Sequence, residues 1–171
     1  KPLKNGGDKI KNWDILIEIN GNSKTILTRE RTNLNLLQRM SGIAALTNKL
    51  NKKLKNKVKL AATRKTLWGS IDKKAVSIGG GLTHRLNLSD GIIIKDNHLK
   101  VLNYDIEKAL KLVKNKSRYI EIEVENKKQA LGAARIIKKL DNNNNLFAIM
   151  LDKIKPQEIK FVIEELKNKD L

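Results

Sequence analysis

From residue 58 onward the chain alternates short apolar runs with stretches of helical spacing, and this alternation constrains the fold more than any other feature. The spacing predicts strands over Val58–Thr63, Ile92–Lys95, Tyr119–Glu125 and Leu146–Asp152. Between and after them it predicts helices over Ile71–Ile78, Tyr104–Lys114, Lys127–Leu140 and Pro156–Asn168, with a polar turn at 142–145. Pro156 suits the first turn of the last helix. Strand-then-helix repetition implies parallel pairing through right-handed crossovers, hence an α/β fold. Four such strands are too few to close a barrel, so an open sheet is expected.

The preceding residues follow another pattern. WDILIEINGNSKTILT, residues 13–28, alternates around Asn20-Gly21 and predicts an antiparallel hairpin. Residues 30–55 carry Leu34, Leu37, Met40, Ala44, Leu46 and Leu50 at roughly helical spacing, predicting a long helix in which Gly42 marks close packing. A lone hairpin is rarely stable and the first residue is not Met, so the chain is expected to be a fragment lacking material at both ends.

Its 171 residues suffice for a packed core, and the absence of Cys removes disulfides and thiolate metal sites. The apolar stretches are too short and too broken by Lys and Asn to span a membrane, so the cytoplasm is the expected location. A net charge of +18 raises the question of a nucleic-acid partner. The lysines are scattered and aromatics make up only 4%, which disfavours that reading.

Sites in α/β proteins form at the carboxyl ends of the strands, and there each expected strand delivers charge. The first ends in Thr63-Arg64-Lys65, the second in Lys95-Asp96-Asn97-His98, and the fourth in Asp152-Lys153. The third carries Glu121, Glu123 and Glu125 on one face. Arg64, Lys65, His84, Arg85 and Lys95 suit a ligand with several carboxylates or phosphates. Glu123 and Asp152 are hard oxygen donors that suit Mg²⁺ held with a phosphate-bearing substrate. Gly79-Gly80-Gly81 can bring backbone close to an anion, a weak signal by itself. The plain structural readings are a loop-capping role for His98, and for Glu121 and Glu125 a lysine partner or solvent.

Several of these residues recur in a known pattern. Glu30-Arg31-Thr32, Leu34-Asn35 and Ser41-Gly42-Ile43-Ala44 are followed by Thr63-Arg64-Lys65-Thr66, by Gly79-Gly80-Gly81 with His84-Arg85, and by Leu88-Ser89-Asp90 with Ile94-Lys95-Asp96-Asn97-His98. Glu121-Ile122-Glu123-Val124 and Leu151-Asp152 complete the series. In order and spacing, across nearly the whole chain, this resembles the quinolinate phosphoribosyltransferase family. The resemblance implies an incomplete, open α/β barrel of parallel strands over residues 33–171, preceded over residues 1–32 by the end of an α/β-sandwich N-terminal domain. It implies transfer of phosphoribosyl from phosphoribosyl pyrophosphate to quinolinate, giving nicotinate mononucleotide, pyrophosphate and CO₂ in NAD biosynthesis. It places Arg31, Thr63, Arg64, His84, Arg85 and Lys95 at the substrates, with Lys65, Glu123 and Asp152 at phosphoribosyl pyrophosphate and in catalysis, the last two holding Mg²⁺. It also implies a homodimer or larger assembly in which Arg31 reaches the neighbouring site. The alternatives are a same-fold paralogue associated with molybdenum transport and, from another class, a basic nucleic-acid-binding module.

The chain departs from the family pattern at three places. Lys153 stands where Asn is usual, Leu67-Trp68 replaces Thr-Pro, and the later Ser-Gly-Gly phosphate loop is not in the sequence.

Overall fold

A computed structural model describes residues 1–55, 57–140 and 145–169. The chain forms two compact units, Lys1–Leu86 and Asn87–Leu171.

The first unit is organised by one helix, α1 (Ser23–Leu54). Asn22 starts it: its Oδ1 accepts the Thr25 N–H at 3.2 Å, satisfying one of the donors that a helix start leaves open. Lys55 ends it in a left-handed conformation, with Lys52 and Lys53 in the negatively polarised last turn. The hairpin expected over residues 13–28 does not form. Residue 17 makes one antiparallel bridge, to Pro2, and residues 23–28 are helical. The alternation was compatible with a helix start once Asn22 supplied the cap, and the expected turn lies just outside that helix. Gly42 has no atom within 4 Å of a notional β-carbon, so close packing is not its role.

A second helix, α2 (Ser70–Ile78), follows the expected range closely. The strand expected at Val58–Thr63 is reduced to one parallel bridge, Ala61↔Leu82. It is flanked by Ala62 N–H to Leu82 O at 2.9 Å and Leu82 N–H to Leu60 O at 2.8 Å. Val58 is the run's one β-branched apolar residue, which leaves little to sustain a longer ladder.

The two helices meet at the glycines. A β-carbon on Gly79 would lie 2.5 Å from Ala44 O and 2.6 Å from Thr47 Cβ, both on α1. One on Gly81 would lie 2.6 Å from Val76 Cγ1. Helix packing thus accounts for these two small residues. Gly80, at φ +85°, supplies the left-handed turn between them. Arg39 of α1 clasps Asp72 of α2 with two hydrogen bonds of 2.7 Å, and its guanidinium lies 5.2 Å from the Trp68 ring centroid.

The second unit runs β1 (Ile92–Ile94), α3 (Asp96–Val101), α4 (Ile106–Val113), β2 (Tyr119–Val124), α5 (Lys127–Leu140), β3 (Leu146–Leu151) and α6 (Pro156–Asn168). The strands form one parallel sheet in the order β1-β2-β3, with Ile94↔Ile122 and Val124↔Leu151 in register. This is the open α/β arrangement expected, with three strands in the sheet rather than four. Ile94, Leu110, Ile120, Ile122, Val124 and Val162 are buried together between sheet and helices, the near-continuous apolar strand pattern of a parallel sheet.

Helix α3 was not expected. Asp96-Asn97-His98 reads as a polar loop, but His98 folds back and its Nδ1 accepts the Lys95 N–H at 2.9 Å. This capping makes the polar run a first helical turn. Of the expected polar turn, residues 142–144 lie outside the described residues.

Candidate active site

The first unit holds the larger share of the cationic residues. Arg31 is exposed on α1. Thr63, Arg64 and Lys65 occupy an exposed turn: Thr63 Oγ1 accepts the Lys65 N–H at 3.1 Å, and Arg64 O accepts the Thr66 N–H at 2.9 Å. His84 adopts a left-handed conformation, φ +55°, beside a half-buried Arg85.

These two stretches are joined from beneath by a residue that sequence reasoning missed. Lys73 of α2 is 2% exposed. Its ammonium donates to Ala62 O at 3.1 Å and to Thr83 O. One carbonyl immediately precedes Thr63-Arg64-Lys65, and the other immediately precedes His84-Arg85. Burial pushes the Lys73 pKa down, and the charges of Arg64 and then Arg85 push it further. Both guanidinium groups therefore act on the same ammonium, and the structure brings the two cationic stretches together. The available signal was position: Lys73 falls on the inner side of α2 with Asp72, Ala75 and Val76.

The second unit holds the carboxylates. Lys95 follows β1, Glu123 is next to last in β2, and Asp152 follows β3. The Ile94↔Ile122 and Val124↔Leu151 pairs set all three at the carboxyl end of the sheet. Asp152 is fixed there by its N–H donating to Val124 O at 2.9 Å. The Glu123 carboxyl is pushed above its ordinary range, first by burial and then by the charge of Asp152, while Lys95 pulls it back. A carboxyl held up in this way, next to a second carboxylate, would ionise more readily with a cation beside it.

Lys153 stands beside this pair in a left-handed conformation, φ +56°. Its Nζ lies 2.7 Å from Glu125 Oε1 and 3.5 Å from Asp152 Oδ2. Glu125 thus has the lysine partner that the structural reading allowed. Glu121 is buried and accepts from the Tyr119 hydroxyl at 2.7 Å. Among the described residues no group of three or more His, Cys, Asp or Glu gathers to hold a metal. Glu123 and Asp152 offer two hard oxygen donors, fewer than a closed all-protein metal site would need.

The sequence profile described as the C-terminal domain of quinolinate phosphoribosyl transferase matches residues 43–171, and the profile of the N-terminal domain matches residues 1–41. The chain belongs to the quinolinate phosphoribosyl transferase family. The chain is 38% identical to a probable nicotinate-nucleotide pyrophosphorylase [carboxylating] of Archaeoglobus fulgidus, over 98% of its own length and 64% of the relative's. It is 39% identical to the protein of the same description from Methanocaldococcus jannaschii, over 99% and 59%. The solved nicotinate-nucleotide pyrophosphorylase of Francisella tularensis superposes with a TM-score of 0.80 at 34% identity, covering 98% of this chain and 58% of that one. The chain spans about three fifths of the length of these two curated relatives. Among the described residues no helix is long and apolar enough to cross a membrane.

Proposed function

We propose that this chain carries part of the machinery that transfers phosphoribosyl from phosphoribosyl pyrophosphate to quinolinate, forming nicotinate mononucleotide, pyrophosphate and CO₂. The observation that carries the reading is the buried Lys73 ammonium holding the backbone before Arg64 to the backbone before Arg85, so that one place gathers positive charge suited to a dianion.

In this reading Arg64, His84 and Arg85 bind the adjacent carboxylates of quinolinate; the family resemblance assigns Lys95 to the same substrate. Guanidinium groups can take a carboxylate in bidentate fashion, which fixes the ring as well as its charge. The ring nitrogen then attacks the ribose carbon as the bond to pyrophosphate breaks. Orientation of this kind removes much of the entropic barrier. Positive charge develops on the ribose, and the carboxylates of Glu123 and Asp152 stabilise it. The same two residues would hold Mg²⁺, which when bound neutralises charge on the pyrophosphate. Lys65 is assigned to phosphoribosyl pyrophosphate, and Thr63, whose hydroxyl accepts the Lys65 N–H, to substrate binding beside it. After transfer, the carbon–carboxylate bond next to the nitrogen breaks, its electron pair goes to the pyridinium ring, and a proton replaces the CO₂ lost. We also place Arg31 at the site of a neighbouring subunit in a homodimer or larger assembly, and the protein in the cytoplasm.

The test is release of labelled CO₂ from carboxyl-labelled quinolinate by the natural full chain, with phosphoribosyl pyrophosphate and Mg²⁺. Release should require every component and vanish in Arg64→Ala. Arg85→Ala should weaken quinolinate binding by about 1–3 kcal/mol with the fold intact. A folded wild-type protein that releases none would point to a same-fold enzyme with another substrate.

A further inference from the structure

Lys73 is the one buried lysine among the described residues, and the chemistry above gives it no step. A lysine is costly to bury, because its ammonium leaves water and needs acceptors in return. Here the acceptors are two backbone carbonyls, Ala62 O and Thr83 O, and they lie on different stretches of chain. Between those stretches the backbone pairing is sparse: the Ala61↔Leu82 bridge and the hydrogen bonds around it. A bridge this short fixes a position but resists twisting poorly. The ammonium adds a third tie, just beyond the bridge and just before Arg64 and Arg85. No carboxylate contributes to the shift of its pKa, and the charges that do are both cations. A residue serving stability alone would be better neutralised.

We propose that Lys73 is a positioning residue: its ammonium ties the backbone before Arg64 to the backbone before Arg85 and so sets the spacing of the two guanidinium groups. The proposal rests on the assignment of those arginines to a dicarboxylate, but its central claim concerns the backbone and can be read without ligand.

The experiment compares wild type with Lys73→Met in the natural full chain, by amide hydrogen exchange and by steady-state kinetics with quinolinate. Lys73→Gln, a shorter side chain that keeps an uncharged N–H donor group, replaces it should the methionine variant not fold. Exchange should quicken about tenfold or more at 61–66 and 82–85, while α1 and α2 keep their protection. The KM for quinolinate should rise roughly 10- to 100-fold with a smaller change in kcat, as expected for displaced binding groups. Quickened local exchange in a protein whose wild type never turns over quinolinate would leave the positioning role standing and discard the assigned reaction. Exchange unchanged in the two stretches, or raised equally throughout α1 and α2, would overturn the proposal. Unaltered KM despite local loosening would overturn it too.

Discussion

The two units are held together by different means. In Asn87–Leu171 the buried side chains are apolar apart from Glu121 among the described residues, with Ile94, Leu110, Ile120, Ile122, Val124 and Val162 at their centre. Among the described residues of Lys1–Leu86 the buried side chains are Thr47, Asp72 and Lys73, with Ala75, while Trp13 is 99% exposed and Leu67 87%. Apolar burial is non-directional and scales with area. Polar burial requires each group to meet a partner at the right distance and angle. The first unit therefore places side chains by specific bonds, and the second provides a rigid sheet whose ends carry the carboxylates.

The contrast is testable, beginning with the largest effect. Ile122→Ala should cost about 2–5 kcal/mol, because Ile122 is fully buried and its truncation opens a cavity. Urea unfolding would measure it, and a loss below about 1 kcal/mol would mean that the sheet core is not what holds the second unit. Gly79→Ala should cost about 1–3 kcal/mol by driving a methyl group into the α1 backbone at Ala44. A neutral result would show that α2 can slide along α1. Asp72→Asn should cost about 1–2 kcal/mol, as part-exposed Arg39 recovers water.

That third variant also has a pH signature. Arg39 holds the Asp72 carboxyl below its ordinary value of 3.8, chiefly through their hydrogen bonds. The resulting stability is fully present above that value and is lost as pH falls through the folded-state value. Melting curves of wild type and Asp72→Asn should therefore converge below about pH 4. The smallest effect has the opposite sign. Glu123 is raised above its ordinary 4.5, so its ionised form is penalised once pH climbs past that value. At pH 7 without metal, Glu123→Gln should melt above wild type by about 2 °C. The gap should close near pH 4 and shrink on adding Mg²⁺.

The same contrast explains which parts of the fold were readable. Periodicity located α5 at Lys127–Leu140 and placed β1–β3 and α6 within a residue or so, because apolar spacing is what builds that unit. The carboxyl-end placement of Lys95, Glu123 and Asp152 followed from the same spacing. In the first unit, alternation at 13–28 suggested a hairpin because it carries no information about a cap such as Asn22. The triple glycine resembled an anion loop because the approach of Ala44 and Thr47 is a long-range fact. Lys73 passed unnoticed because a lysine on a short helix ordinarily lies in solvent, and only the fold supplies its two carbonyls. Arg39 and Asp72, 33 residues apart, left no local trace of their pairing.

Helix α1 carries two arginines with different surroundings, Arg39 locked to Asp72 and Arg31 exposed. Eight residues of helix separate them by about 12 Å along the axis and by about 80° around it. The helix therefore works as both ruler and protractor. Once the Arg39 fork engages α2, the height and bearing at which Arg31 leaves the first unit are fixed, and neither can be retuned without rotating the whole rod.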